Sequence, residues 1–379
     1  MRGSFPGWYA RDPAALTTMW DRALFVPDAN VLLHCLRHPE AVREELFRVF
    51  DMLRDSLWIP YQVGHEFHAN RLDVEFGAID TYRKLVDDYD TIIGQARERL
   101  RQLRAHPMID VDREVAALDT FLADFKGRIA ASRRDHPSTD IAAAVDRITA
   151  IFEGRVGTRW PRERLVALKK EGDDRYARRV PPGYMDAKKD GDLNRFGDLI
   201  IWQDMIAKAK EDERPIIFVT DDVKEDWWWL HKGRKLGPRP ELVEEFQEAS
   251  GQEFHIYEFR NFLRVAGERH PEIGAGIATV ERSLIEDERA RDRARFAAMG
   301  AMRERVSDLE DERERLVAML SGTPGLELDR ASIDRGSLRA RLDAVNTEIE
   351  QLAMRLSGEA ATSSAETVSM EPGEATGRV

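Results

Sequence analysis

The stretch IIFVTDDVKEDW occupies residues 216–227. Its first five residues, IIFVT, can fill a buried strand. Asp221 and Asp222 follow at once, and Asp226 comes within one helical turn of them. Acids crowded at the end of an apolar strand repel one another. Their position therefore needs a cause.

Similar punctuation recurs elsewhere in the chain. ALFVPDANVLL (23–33) reads as a strand, a turn and a helix start, because a short apolar run meets Pro27, Asp28 and Asn30 before it resumes. Asp and Asn suit that junction, since their side chains can cap free backbone N–H groups. LWIP (57–60) is a second short strand, reached through a helix at about 39–55. From Tyr61 a long helical pattern carries Glu66 and runs past Leu100. NRFGDLIIWQDMIAKAKED (194–212) is an amphipathic helix with Leu199, Ile200 and Ile206 on its apolar side and Asp198 in its first turn. After the opening stretch come a helix at 238–250, with Pro240 near its first turn, a last strand EFHIY (253–257) and the closing NFLRVAG. Strands alternating with helices indicate an α/β domain with a mostly parallel sheet. Ligands of such sheets bind beyond the carboxyl ends of the strands, and Asp28, Asp221 and Asp222 lie at that end.

Residues 75–180 are charged and helical in character, and DTIIGQARERLRQLRAH and LDTFLADFKGRIAASRR read as an antiparallel helical pair. This segment is an expected insertion or lid between two parts of the α/β domain, 1–74 and 181–268. RYARRVPPGYMDAKKDGD (175–192) is a basic loop containing Pro and Gly. Further on, Met302, Val306, Leu309, Leu316 and Leu320 fit a heptad with Arg313 in the remaining slot, and Leu338, Leu342, Val345, Ile349, Leu352 and Leu356 repeat its spacing. Residues 275–357 thus predict a coiled-coil helical hairpin, pairing with itself or with another subunit. From residue 358 the chain is small, polar and expected to be disordered.

The 379 residues are 42% hydrophobic and 34% charged, with a net charge of -12 and a single cysteine. Cys35 cannot form an internal disulfide or part of a cysteine-rich zinc site, and reads as a small buried apolar residue. No run of 18 apolar residues is present, so no membrane span is expected. MRGSFPGWYARD lacks the apolar core of a secretory signal, and the expected location is cytoplasmic. The negative charge argues against a protein that coats nucleic acid through its whole surface, but it allows a local basic groove.

Asp28, Glu66, Asp198 and Asp222 all stand at element ends, with Asp221 beside the last. Each has an ordinary reading: Asp28 and Asp226 as helix caps, Glu66 as a solvated side chain, Asp198 as a partner of the helix dipole. Adjacent residues cannot both point the same way, so one of Asp221 and Asp222 is expected to be a ligand and the other a supporting acid. Glu66 and Asn70 share a helix face. Together the acids suggest a divalent cation, because carboxylates held a few ångströms apart need a positive charge between them. Hard oxygen ligands suit Mg²⁺ or Mn²⁺. His65 and His68 flank Glu66, but their spacing sets them about 60° apart on a helix with no cysteine or third histidine nearby, which does not point to zinc.

In this order, VPDANVLL, GHEF, GDLIIW and IIFVTDD resemble the PIN-domain nucleases, and PPGYMDAKKD, FGDLIIW, VTDDVKEDWW and GPRPELVEEF resemble the bacterial PIN-like group with a large helical insertion. The resemblance spans roughly residues 20–265 and leaves the heptad hairpin outside. It implies a PIN-like sheet flanked by helices and metal-dependent endonucleolytic cleavage of RNA by an activated water. It places the catalytic acids at Asp28, Glu66, Asp198 and Asp222, with Asp221 as the alternative to the last. Asn30 and Thr220 match positions that shape the pocket. Arg178, Arg179, Lys188 and Lys189, with Lys232, Arg234 and Lys235, would hold the nucleic-acid backbone, and Trp227, Trp228 and Trp229 could stack bases. The competing readings are a flap-type nuclease acting on single-stranded or flap DNA, and a non-catalytic assembly module whose heptad hairpin does the work. The hairpin beside a nuclease domain also motivates a toxin or phage-defence role.

Overall fold

The computed structural model describes the chain apart from Arg2 and residues 104–107, 135–137, 190–193, 233, 322–334 and 368–379. In chain order its elements are α1 (Pro13–Arg22), β1 (Leu24–Pro27), α2 (Ala29–Arg37), α3 (Glu40–Met52), α4 (Tyr61–Gln102), α5 (Val111–Arg134), α6 (Ser138–Phe152), α7 (Arg162–Ala177) and α8 (Gly197–Asp212). They continue with β2 (Ile216–Thr220), β3 (Trp228–His231), β4 (Arg234–Pro238), α9 (Pro240–Ser250), β5 (Phe254–Glu258), α10 (Phe259–Arg269), α11 (Pro271–Ser321) and α12 (Arg335–Thr367).

IIFVT forms β2, and all five of its residues are buried. It is the middle strand of a parallel sheet in the order β1-β2-β5, which explains its continuous apolar run: both faces are covered by helices. Pro27 pairs with Val219 in the β1–β2 register, so Asp28 and Thr220 emerge side by side at one sheet edge. LWIP contributes only the isolated parallel bridges Phe25–Leu57 and Ile59–Val156 rather than a strand. The expected amphipathicity of α8 also fails in its first turns. Leu199, Ile200, Ile201 and Trp202 are all buried, whereas Ile206 is half-buried, because this end of the helix is enclosed on every side.

The helical pair read between residues 75 and 180 is present: α4 and α5 run antiparallel, joined by Lys126–Asp90 at 2.7 Å, the ion pair Arg97–Asp119 and the stacked rings of Tyr89 and Phe125. α6 packs on α2 and α3. The chain forms two compact units, one of residues 1–228 and 237–281, the other of residues 229–236 and 282–379. The second contains the heptad hairpin. Arg305–Glu348 at 3.0 Å and Glu312–Arg341 at 2.7 Å flank a seam of Leu309, Leu316 and Val345, with Leu338, Leu342, Ile349 and Leu352 packed against it. α12 runs on to Thr367, so helix replaces the first ten residues of the expected disordered tail. The rest of that tail and the linker between the two helices lie mostly outside the described residues. No described helix is long and apolar enough to cross a membrane.

Candidate active site

Asp28 ends β1 and caps α2. Its Oδ1 accepts from the Ala29 N–H at 2.7 Å, and its Oδ2 accepts from Asn30 Nδ2 at 2.8 Å and from Thr220 Oγ1 at 2.7 Å. Thr220 is fully buried, and its hydroxyl oxygen also accepts from the Asp222 N–H at 3.0 Å. Asn30 Oδ1 accepts from the Asp221 N–H at 3.1 Å. Asn30 and Thr220 thus lock the ends of β1 and β2 together and leave Asp28 one orientation.

Glu66 stands in the second turn of α4. Its Oε1 accepts from Gln62 Nε2 at 2.8 Å and lies against Gly197, where a Cβ would come within 2.7 Å of it. A glycine at the first residue of α8 therefore lets the carboxylate reach that helix's N-terminus, where a negative charge is favoured. Asp198 follows in the same turn. Asp28, Glu66, Asp198 and Asp222 line one cavity of about 1340 Å³, together with Asn70, Asp186, Lys189 and Lys224.

Burial dominates the electrostatics. It pushes the Asp28 carboxyl up to about 7 against the Thr220 hydrogen bond, with Glu66 adding to the rise. It pushes Asp198 up to about 7 despite the nearby Lys224 ammonium, and it raises Glu66 against the Gln62 hydrogen bond. Burial alone would lower Lys224, but Asp198 and Asp222 outweigh it and hold the ammonium above its ordinary range. The acids are short of positive charge. Their hard oxygen atoms fit a divalent cation, although among the described residues no three acids or histidines already stand as a ligand set.

Other predicted residues are placed differently. Asp221 turns from the cavity and its carboxylate meets His34, whose other ring nitrogen is 3.2 Å from His38. Consecutive side chains at a strand end point apart, and Asp222 takes the inward direction, so Asp221 does not join the ligand candidates here. Asp226 caps no helix, since β3 follows it. It is fully buried, and its Oδ2 accepts from the Gly183 and Met185 N–H groups at 2.9 and 3.1 Å, pinning the PPGYM loop. Gly183 sits at φ 91°, and a Cβ there would collide with the Tyr176 hydroxyl.

Of the predicted basic residues only Lys189 lines the cavity. Lys188 is exposed. Arg178 pairs with Asp174 at 2.5 Å and Arg179 with Glu225 at 2.7 Å. Lys232, Arg234 and Lys235 lie on the β3–β4 hairpin, in the other compact unit. Trp227, packed against Trp202 and Phe218, and Trp228, whose Nε1 donates to the Asp222 carbonyl, are buried and unavailable for stacking on bases. Asp186 and Lys224 escaped the sequence reading. Both stand inside quoted signatures, yet an Asp and a Lys in loops carry no periodicity that would mark them. Cys35 is buried, as expected.

No curated protein and no solved structure matches the chain. The sequence model of a family described as PIN like domain matches residues 24–242, more than half of the 379 residues and a span that holds Asp28, Glu66, Asp198 and Asp222. On that match, and with a parallel sheet whose strand ends carry Asp28 and Asp222, the chain belongs to the PIN-like domain family.

Proposed function

We propose that this chain is a Mg²⁺- or Mn²⁺-dependent endoribonuclease. The observation that supports it is the meeting of Asp28, Glu66, Asp198 and Asp222 in one cavity, from four elements up to 194 residues apart in sequence. Fixed, desolvated carboxylates that repel one another are a costly arrangement for structure alone. The four acids would hold the cation, and a cation bound there would polarise a phosphodiester and activate a water. Asn30 and Thr220 keep Asp28 in one rotamer. Gln62 and the start of α8 orient Glu66. Asn70 lines the same cavity one turn beyond Glu66, and Lys189 places a positive charge at the wall for the nucleic-acid backbone. A nuclease needs no side-chain nucleophile under this reading.

The test is cleavage of end-labelled single-stranded RNA and DNA in Mn²⁺, Mg²⁺ or chelator. Internal cuts in RNA that vanish with chelator and fall at least a hundredfold in Asp222→Asn are the expected result. Cutting of DNA with RNA intact would transfer the activity to a flap-type enzyme, and no cutting of either would leave an assembly module. The toxin or phage-defence role is tested separately: induced expression should slow growth or reduce phage plating, and Asp222→Asn should abolish both effects.

A further inference from the structure

A cation already stands among these acids. Lys224 follows Asp222 by two residues, and its backbone N–H donates to Asp222 Oδ1 at 2.8 Å. Its ammonium is 2.8 Å from Asp222 Oδ2, 3.1 Å from Asp186 Oδ2 and 3.5 Å from Asp198 Oδ2. The three acids come from the turn after β2, the helical turn Tyr184–Asp186 and the start of α8. Asp186 is only 8% exposed, and Lys189 donates to the same Asp186 oxygen at 2.7 Å. The loop that carries Asp186 is in turn pinned by Asp226.

We propose that Asp186 belongs to the cation site with Asp198 and Asp222, and that Lys224 gates it: its ammonium holds the three carboxylates together until a divalent cation displaces it. A single ammonium has one charge and keeps its oxygens near 3 Å, whereas Mg²⁺ has two and draws oxygens to about 2.1 Å. The same three oxygens therefore gain from the exchange. The spread of the acids around an ammonium also accounts for the lack of a ready ligand set. Lysine suits the gate because its charge rides on a flexible four-carbon stem that can swing aside. The inference rests on the metal-dependent reading of the cavity but not on the identity of the substrate.

The experiment uses the full chain. Lys224→Met and Asp186→Asn are stripped with chelator, titrated calorimetrically with MnCl₂, and melted with and without Mn²⁺. Lys224→Met should bind Mn²⁺ at least tenfold more tightly than the unaltered chain, melt lower without it and gain more Tm from it. Asp186→Asn should bind at least tenfold more weakly. Unchanged or weaker Mn²⁺ binding by Lys224→Met, or unaltered binding by Asp186→Asn, overturns the proposal. Should Lys224→Met be insoluble, Asp186→Asn decides alone. Affinities that move as expected in a protein that cuts neither RNA nor DNA refute the nuclease reading and leave the gate. Cleavage of RNA in Mn²⁺ with these affinities unmoved refutes the gate and leaves the nuclease.

Discussion

Asp198 is a residue whose proposed role opposes the stability of the fold. Its carboxyl ordinarily titrates near 3.8 and is pushed up to about 7 in the fold, so between those pH values the folded chain binds a proton that the unfolded chain releases. Stability from this group is present below about pH 4 and is lost as pH rises through 7. At about 1.4 kcal/mol per pKa unit, the ionised carboxylate costs the fold on the order of a few kcal/mol. Asp198→Asn should therefore raise Tm in chelator by roughly 3–8 °C at pH 8 and by almost nothing at pH 4, while abolishing cleavage. Calorimetry across that range checks the sign: a gap that shrinks with pH would contradict the burial argument. Thr220→Val belongs to the same scale. It keeps the buried shape but removes the hydroxyl that donates to Asp28 and accepts from the Asp222 N–H. About 1–3 kcal/mol of stability should be lost in chemical denaturation, and cleavage should fall about tenfold or more.

At the level of elements, the site depends on how α4 meets α8 and on how the 181–186 loop is tied down. Gly197→Ala should tighten α8 by removing a helical glycine, worth up to about 1 kcal/mol. The new methyl group would nevertheless press on the end of the Glu66 side chain and displace its carboxylate. The expected result is an unchanged or raised Tm with cleavage reduced at least tenfold. Asp226→Ala should do the opposite. The buried Gly183 N–H loses its acceptor at about 1–3 kcal/mol, the half-buried Met185 N–H loses the same partner, and limited proteolysis should cut within residues 181–186. Asp226→Asn keeps an acceptor oxygen and should be milder. Little of this was legible beforehand. Glu66 and Asp198 stood out because each is an acid near a helix start. The role of Asp226 did not, because its partners lie 41 to 43 residues upstream and nothing local in EDWW distinguishes a loop anchor from a helix cap.

At the scale of the whole molecule, the chain divides its apolar material between two cores. One is organised on the sheet, the other on the seam of Leu309, Leu316 and Val345. Leu309 and Val345 are fully buried, so a lysine at either place would put a charge into that seam at a cost of several kcal/mol. Leu309→Lys should lower the helical circular dichroism signal at 222 nm. Cleavage of RNA in Mn²⁺ should persist, since every acid of the cavity lies in the other unit. Loss of cleavage together with the helical signal would show that the site needs the hairpin.

The sequence alone determined the alternation of strands and helices, the heptad seam and the placing of Asp28, Glu66, Asp198 and Asp222 at element ends. These are properties of neighbours a few residues apart, and backbone geometry converts such spacing directly into strand ends and helix faces. Only the tertiary structure decided which charges meet: that Asp222 faces the cavity while Asp221 faces His34, that Asp186 joins the acids, and that Lys224 stands between them. Those outcomes turn on distances between segments far apart in the chain. Coulombic attraction and desolvation act through distance and burial, which no local pattern of residues records.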